Sequence, residues 1–211
     1  IVFHTIFGKS VPDISLNAVA NLAYFQGRFF SPVYDGDTLF SVSEVIGLKQ
    51  NSNGKSGLVY VNTKGFNQKN DLVLEYVRCV MVKKNDLKLP APKTLIPKLE
   101  NVVDPNSFFL PNEVNFSNYD FDLAGSKNKF SDYDIGEEIN HIDAVTLEEA
   151  EHMMATRLWQ NNSKVHFDKT IRDDKKRLIY GGHIISTGRA LSFNGLENAQ
   201  VMIAINGGTH A

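Results

Sequence analysis

Residues 39–83 read LFSVSEVIGLKQNSNGKSGLVYVNTKGFNQKNDLVLEYVRCVMVK, and three β-strands can be taken from them. In 39–49, the apolar residues Leu39, Val42, Val45 and Leu48 are separated by Ser and Glu. Residues 58–64 are rich in β-branched and aromatic side chains, which favour a pleated backbone. Residues 72–83 give the longest strand. The loop 51–57 carries Asn53-Gly54, a hairpin signal, and a second turn falls at Asn67-Gln68-Lys69-Asn70. Both loops are too short for a crossover helix, so the strands are expected to form an antiparallel meander.

Working upstream, Pro32-Val33-Tyr34-Asp35-Gly36-Asp37-Thr38 reads as a turn and 13–30 as an extended segment. Residues 1–8 read as an apolar helix stopped by Gly8. Downstream, 85–118 holds Pro90, Pro92, Pro97, Pro105 and Pro111, which fix φ and remove donors, so it is expected to be a linker. A strand is expected over 138–142. Thr146-Leu147-Glu148-Glu149 has the form of a capping box before a helix over 147–158. The apolar stripe of that helix would be Leu147, Met154 and Leu158 with Ala150 and Ala155. A second helix, apolar and expected to be buried, covers 178–193.

The chain has 211 residues, of which 42% are hydrophobic, enough for a sizeable core. Its 22 Lys and Arg against 24 Asp and Glu give a net charge of −2, which argues against a nucleic-acid binder or a protein held on acidic lipid. One cysteine, Cys79, excludes a disulfide framework within the chain and a Cys-rich metal site. No apolar run reaches the ~18 residues of a membrane helix, and the first residues do not resemble a signal peptide. The expectation is a cytoplasmic, soluble protein acting on small molecules.

Twelve residues from Asn17 can be laid over twelve from Asn198. Asn17/Asn198, Ala18/Ala199, Ala23/Ala204 and Gly27/Gly208 then coincide, and each stretch follows a helix. This predicts two copies of one module. The chain would enter the first copy in its central helix and leave the second just past the same helix, so both copies would be incomplete here. The expected divisions are 1–84 for the first module, 85–130 for the linker and 131–211 for the second module.

The turn Pro32-Val33-Tyr34-Asp35-Gly36-Asp37-Thr38-Leu39 resembles that of MaoC-like (R)-specific enoyl-CoA hydratases. Residues 149–167, 177–186 and 7–21 are similar to one subgroup, the mesaconyl-CoA hydratases or β-methylmalyl-CoA dehydratases. The resemblance implies an α+β, double hot-dog fold, in which an antiparallel sheet wraps a central helix. It also implies addition or removal of water at the α,β-bond of a short, branched dicarboxylic enoyl-CoA. CoA would enter only as part of the substrate, with no separate cofactor and no metal, and the protein would be a homo-oligomer. The general hydratase motif, Asp-x-Asn-Pro-hydrophobic-His, falls on Asn161, Ser163, Lys164 and His166, so the His is kept and the Asp is not.

Hydration of an enoyl thioester needs a base for water, a proton donor for the α-carbon and donors for the enolate-like oxygen. His166 titrates near neutrality and fits either of the first two. Asn161 can orient water. Asp168, two residues past His166 and on its side if the segment is extended, is the alternative carboxylate. Gly181 and Gly182 at a helix start would expose bare amides to the thioester, though a plain tight turn explains the same pair. Gln160, Lys164, Tyr180 and His183 are further candidates for substrate contact. Glu148 and His152, four apart, have a metal-ligand spacing but no third ligand nearby. Two other readings compete: a hot-dog thioesterase, disfavoured because 182–193 contains no Asp or Glu, and a non-catalytic acyl-CoA binder.

Overall fold

The computed structural model describes residues 1–16 and 18–209. Asn17, one member of the repeat, lies outside the described residues, as do the last two positions of the expected second module.

The first helix, α1 (Val2–Ser10), lies on one face of a sheet built from β1 (Ala18–Phe29), β2 (Leu39–Gln50), β3 (Ser56–Asn67) and β4 (Leu72–Lys83). A fifth strand, β5 (Ala204–Thr209), completes the order β2-β3-β4-β1-β5, with every neighbouring pair antiparallel. The meander is therefore found where the sequence places it. Gly54 takes φ +65° in the first turn, and the second turn closes by the Asn70 N–H donating to the Asn67 carbonyl. β4 is buried along most of its length because it lies inside the sheet, paired on both edges. β2 is the outer strand, and its Val42 and Val45 are exposed.

Ile6, Phe7 and Val11 from the helical end pack with Tyr24, Val73, Leu74, Tyr76 and Tyr180 to form the core. Arg78, fully buried on β4, sets its guanidinium over the Phe7 ring at 5.0 Å and donates to the Ser15 hydroxyl.

Gly8 does not stop α1. The helix runs on to Ser10 and widens into a π-helical turn, Val11–Ser15. Pro12, which has no N–H to continue the ordinary ladder, sits inside that turn. Gly8 is needed for a different reason: a Cβ there would lie 1.8 Å from the Trp159 carbonyl oxygen.

Residues 84–148 carry no strand or α-helix. They hold two 3-10 turns (Pro105–Ser107 and Phe130–Asp132) and one bridge, Leu48 to Leu95. The strand expected at 138–142 is absent: Ile142 has φ +56°, and His141 spends its Nδ1 on the Asn194 carbonyl at 2.5 Å. Tyr119 and Tyr133 also donate to the 194–198 loop, so this segment is tied to it through side chains.

The second helix, α2 (Glu149–Leu158), begins after Glu148, and no side chain caps it, so the predicted capping box does not form. Its buried residues are His152 and Thr156, while Met154 and Leu158 are 70% and 69% exposed. The third, α3 (Gly181–Leu191), is shorter than expected and buries Gly182 alone, with Ile184 and Ile185 exposed.

The repeat acquires a geometric form. The 181-residue offset that aligns Asn17 with Asn198 also carries Ser10, the last residue of α1, onto Leu191, the last of α3. It makes Ala204 the counterpart of Ala23 and Thr209 that of Arg28. In the β1–β5 pair, Ala23 faces Thr209 and Arg28 faces Ala204; Tyr24 and Gly27 show the same exchange with Gly208 and Ile205. Such reciprocity is what a local two-fold axis between equivalent strands requires.

Candidate active site

The site forms where α1, the end of α2 and the start of α3 meet. Tyr180, N-cap of α3 and 2% exposed, stacks on Phe7 with ring centroids 5.5 Å apart. A Cβ on Gly182 would fall 2.3 Å from the Tyr180 ring, so glycine is required for the ring to fold back over the helix start. The N–H groups of Gly181 and Gly182 have no partner among the described residues. They point out of the first turn, where the helix dipole favours negative charge.

His166 ends the 3-10 turn Lys164–His166 and is buried beside Tyr180, ring centroids 5.8 Å apart. Its Nδ1 lies 2.7 Å from the Leu178 carbonyl. A carbonyl only accepts, so Nδ1 carries the proton and the neutral ring keeps its lone pair on Nε2. The main chain reinforces this link, since Leu178 N–H donates to the Val165 carbonyl at 2.9 Å. The ring is thus tied directly to the residues that lead into the glycine pair.

Asn161 is 2% exposed; its Oδ1 accepts from the Ser163 N–H at 3.1 Å. With Gly8, Lys9, Arg157, Gln160 and Phe167 it lines a cleft of about 510 Å³. Gln160 adopts φ +54° and accepts from the Lys9 ammonium across the cleft wall.

Two candidates are placed elsewhere. The Asp168 carboxylate caps the next turn, accepting from the Thr170 N–H at 2.8 Å and the Thr170 hydroxyl at 2.6 Å, bonds that hold its pKa below the usual carboxylate range. The same-side argument fails because 164–166 is a 3-10 turn, not a strand. Lys164 is exposed and does not line the cleft. The Glu148–His152 pair has no metal geometry: Glu148 is an N-cap, and no group of three or more metal-binding side chains exists among the described residues.

Sequence reasoning named His166, His183 and His152 but missed His4, and it did not group them around Tyr180. His4, from α1, places Nδ1 3.1 Å from the Tyr180 hydroxyl and Nε2 2.6 Å from the Ser186 hydroxyl. His152, 1% exposed, accepts from the Tyr180 N–H at 3.4 Å. Its Nε2 has no hydrogen-bond partner among the described residues, and the His166 backbone opposes part of the burial effect on the ring. His183 likewise buries an unpartnered Nε2. No sequence signal pairs His4 with Tyr180, which are 176 positions apart.

Burial pushes His4 down to about 4 and also lowers His152 and His166, so these three rings are neutral at pH 7. Their folded pKa values lie below the unfolded 6.5, and the unfolded chain therefore binds more protons in that interval. The stability they contribute is full above pH 6.5 and is lost as pH falls from 6.5 towards 4. Thermal midpoints measured from pH 8 to 4 should be level at first and decline below 6.5; a level profile to pH 5 would contradict this burial.

The architecture is that of the double hot-dog proteins. The chain superposes over 93% of its length on a double hot-dog protein of Mycobacterium tuberculosis, with TM-score 0.65 at 23% identity and 59% of that chain covered. It matches a MaoC domain protein dehydratase of Chloroflexus aurantiacus far more closely: TM-score 0.94, 53% identity, 99% of this chain and 60% of that one. Among curated proteins it is 57% identical over 209 residues to the mesaconyl-CoA hydratase of Cereibacter sphaeroides, covering 99% of this chain and 61% of the relative. It is 53% identical over 213 residues to the β-methylmalyl-CoA dehydratase of Chloroflexus aurantiacus, covering 100% and 60%. The subgroup resemblance read from the sequence is thus the one these homologues carry. The chain spans about three fifths of their length. No family model matches it. No helix among the described residues is long and apolar enough to cross a membrane.

Proposed function

We propose that the chain carries the reaction centre of a hydratase/dehydratase acting on a short, branched dicarboxylic enoyl-CoA. The observation that carries this is the Nδ1–H bond from His166 to the Leu178 carbonyl, which leaves Nε2 as the free base of a ring 5.8 Å from that of Tyr180, the residue that precedes the two bare amides. In the hydration direction, Nε2 takes a proton from water as the water oxygen bonds to the β-carbon. The C=C electron pair moves to the thioester oxygen, where Gly181 and Gly182 N–H donate to the developing charge. The α-carbon then takes a proton as the carbonyl re-forms, and His166, now protonated, is a fitting source. Asn161, in place of the general motif's Asp, lines the cleft beside α1, whose lining does not include His166 or the glycine pair, and needs no charge to orient a water. The duplicated form supports the divisions 1–84, 85–130 and 131–211, with the second module supplying His166 and the glycines and the first supplying α1 as the opposite wall.

The chemistry is tested by incubating the full-length protein with mesaconyl-CoA. Loss of the enoyl-thioester absorbance with no free thiol is the expected result. Thiol release would instead mean a thioesterase, a reading already weakened because α3 offers no carboxylate. Binding without either change would leave an acyl-CoA binder.

A further inference from the structure

We propose that the cleft between α1 and the end of α2 receives the free carboxylate of the acyl chain, with Arg157 and Lys9 as its cationic walls. This rests on the acyl-CoA reading above and adds the specificity element to it. Of the six arginines, five have a polar side-chain partner: Arg28 with Glu75, Arg78 with Ser15, Arg172 with Asp174, Arg177 with Glu149 and Arg189 with Ser192. Arg157 has none among the described residues, and it lines the cleft of about 510 Å³. Lys9 borders the same space. Its bond to Gln160 fixes the ammonium there and uses one of three N–H donors. No acidic residue lines the cleft. Two cations and no anion around an open cleft describe a site for an anion, and a planar guanidinium suits the two oxygens of a carboxylate.

A carboxylate and a CoA phosphate share this chemistry, and position favours the carboxylate. Asn161, in the position of the general motif's Asp, lines the same cleft. In an enoyl thioester of a four-carbon dicarboxylic acid the carboxylate is bonded to the carbon that water attacks. The CoA phosphates lie a whole pantetheine arm away. The cations would therefore both select a dicarboxylic substrate and set its double bond against the Asn161 wall.

The test uses two saturated thioesters that cannot be hydrated, succinyl-CoA and butyryl-CoA, titrated calorimetrically into the full-length protein. They differ by the terminal carboxylate. Arg157→Met keeps an unbranched apolar stem, shorter than arginine, and removes the charge, and Lys9→Met does the same at the other cation. The ratio of the two affinities should fall by roughly 10- to 100-fold in Arg157→Met, the usual worth of a charged hydrogen bond, and by less in Lys9→Met. Arg157→Lys should recover part of it. A ratio preserved in both methionine variants would overturn the proposal. So would an equal fall for both thioesters, which would assign the cations to the CoA phosphates. Because neither thioester has a double bond to hydrate, the result is read independently of whether the protein hydrates mesaconyl-CoA.

Discussion

In His166→Asn, turnover of mesaconyl-CoA should fall by about 10²–10⁴-fold, the usual contribution of a positioned acid/base group, while the fold is retained. The choice of Asn follows from the ring's geometry. The Asn amide nitrogen occupies the place of Nδ1 and can still donate to the Leu178 carbonyl, now 2.7 Å from the ring. Nothing then stands at Nε2. The variant separates the structural bond from the proposed chemical one. His166→Ala would lose both, with about 1 kcal/mol expected from the hydrogen bond alone. If His166→Asn kept full turnover, the base would have to be sought elsewhere. The pH profile provides a second reading. His166 must be neutral to accept a proton, and burial lowers its pKa. The acid limb of kcat/KM should therefore lie below pH 6.5, with activity falling as the ring gains its proton. An acid limb above 6.5 would mean that a different group is being titrated.

What could be read in advance followed the range of the interactions. The β2–β4 meander depends on hairpins closed within a few residues, and the turns at Gly54 and Asn70 announce themselves in the chain. The glycine pair and His166 lie 15 positions apart and were found through motif and resemblance; their neighbourhood depends on one short return, Leu178 to Val165. The face of α2 could not be read this way. Its hydrophobic stripe predicts Met154 and Leu158 inward, yet His152 and Thr156 are buried. The buried side of α2 meets the Tyr180 N–H and the His166 ring through His152, and a periodicity argument assumes an apolar neighbour. The strand expected at 138–142 failed because Ile139 packs beneath Gly195 and the chain turns at Ile142, a tertiary arrangement invisible to alternation. His4 was out of reach for the same reason: its partners are the N-cap and the first turns of a helix that begins at Gly181.

That approach of α1 to the site depends on one missing methyl group. In Gly8→Ala the new Cβ would sit 1.8 Å from the Trp159 carbonyl oxygen, 3.0 Å from its carbon and 3.4 Å from the Asn161 nitrogen. These are backbone atoms at the end of α2, so no rotamer change relieves the clash. Either α1 or the 159–161 turn must move. Overpacking of this kind costs roughly 1–3 kcal/mol, against a helix-propensity gain of about 1 kcal/mol for replacing Gly by Ala. The control is Gly188→Ala on α3, where the added Cβ meets nothing within 4 Å and only the propensity gain applies. In this chain the two substitutions, chemically identical, should shift the thermal midpoint in opposite directions, Gly8→Ala downward and Gly188→Ala upward. Function should separate them further. Displacing 159–161 moves Gln160 off Lys9 and carries Asn161 with it, so the cleft wall and the proposed water-orienting amide are lost together. Turnover in Gly8→Ala should therefore fall even at temperatures where the variant remains folded. A midpoint and a rate both unchanged would show that α1 does not hold the site in the way its contacts describe.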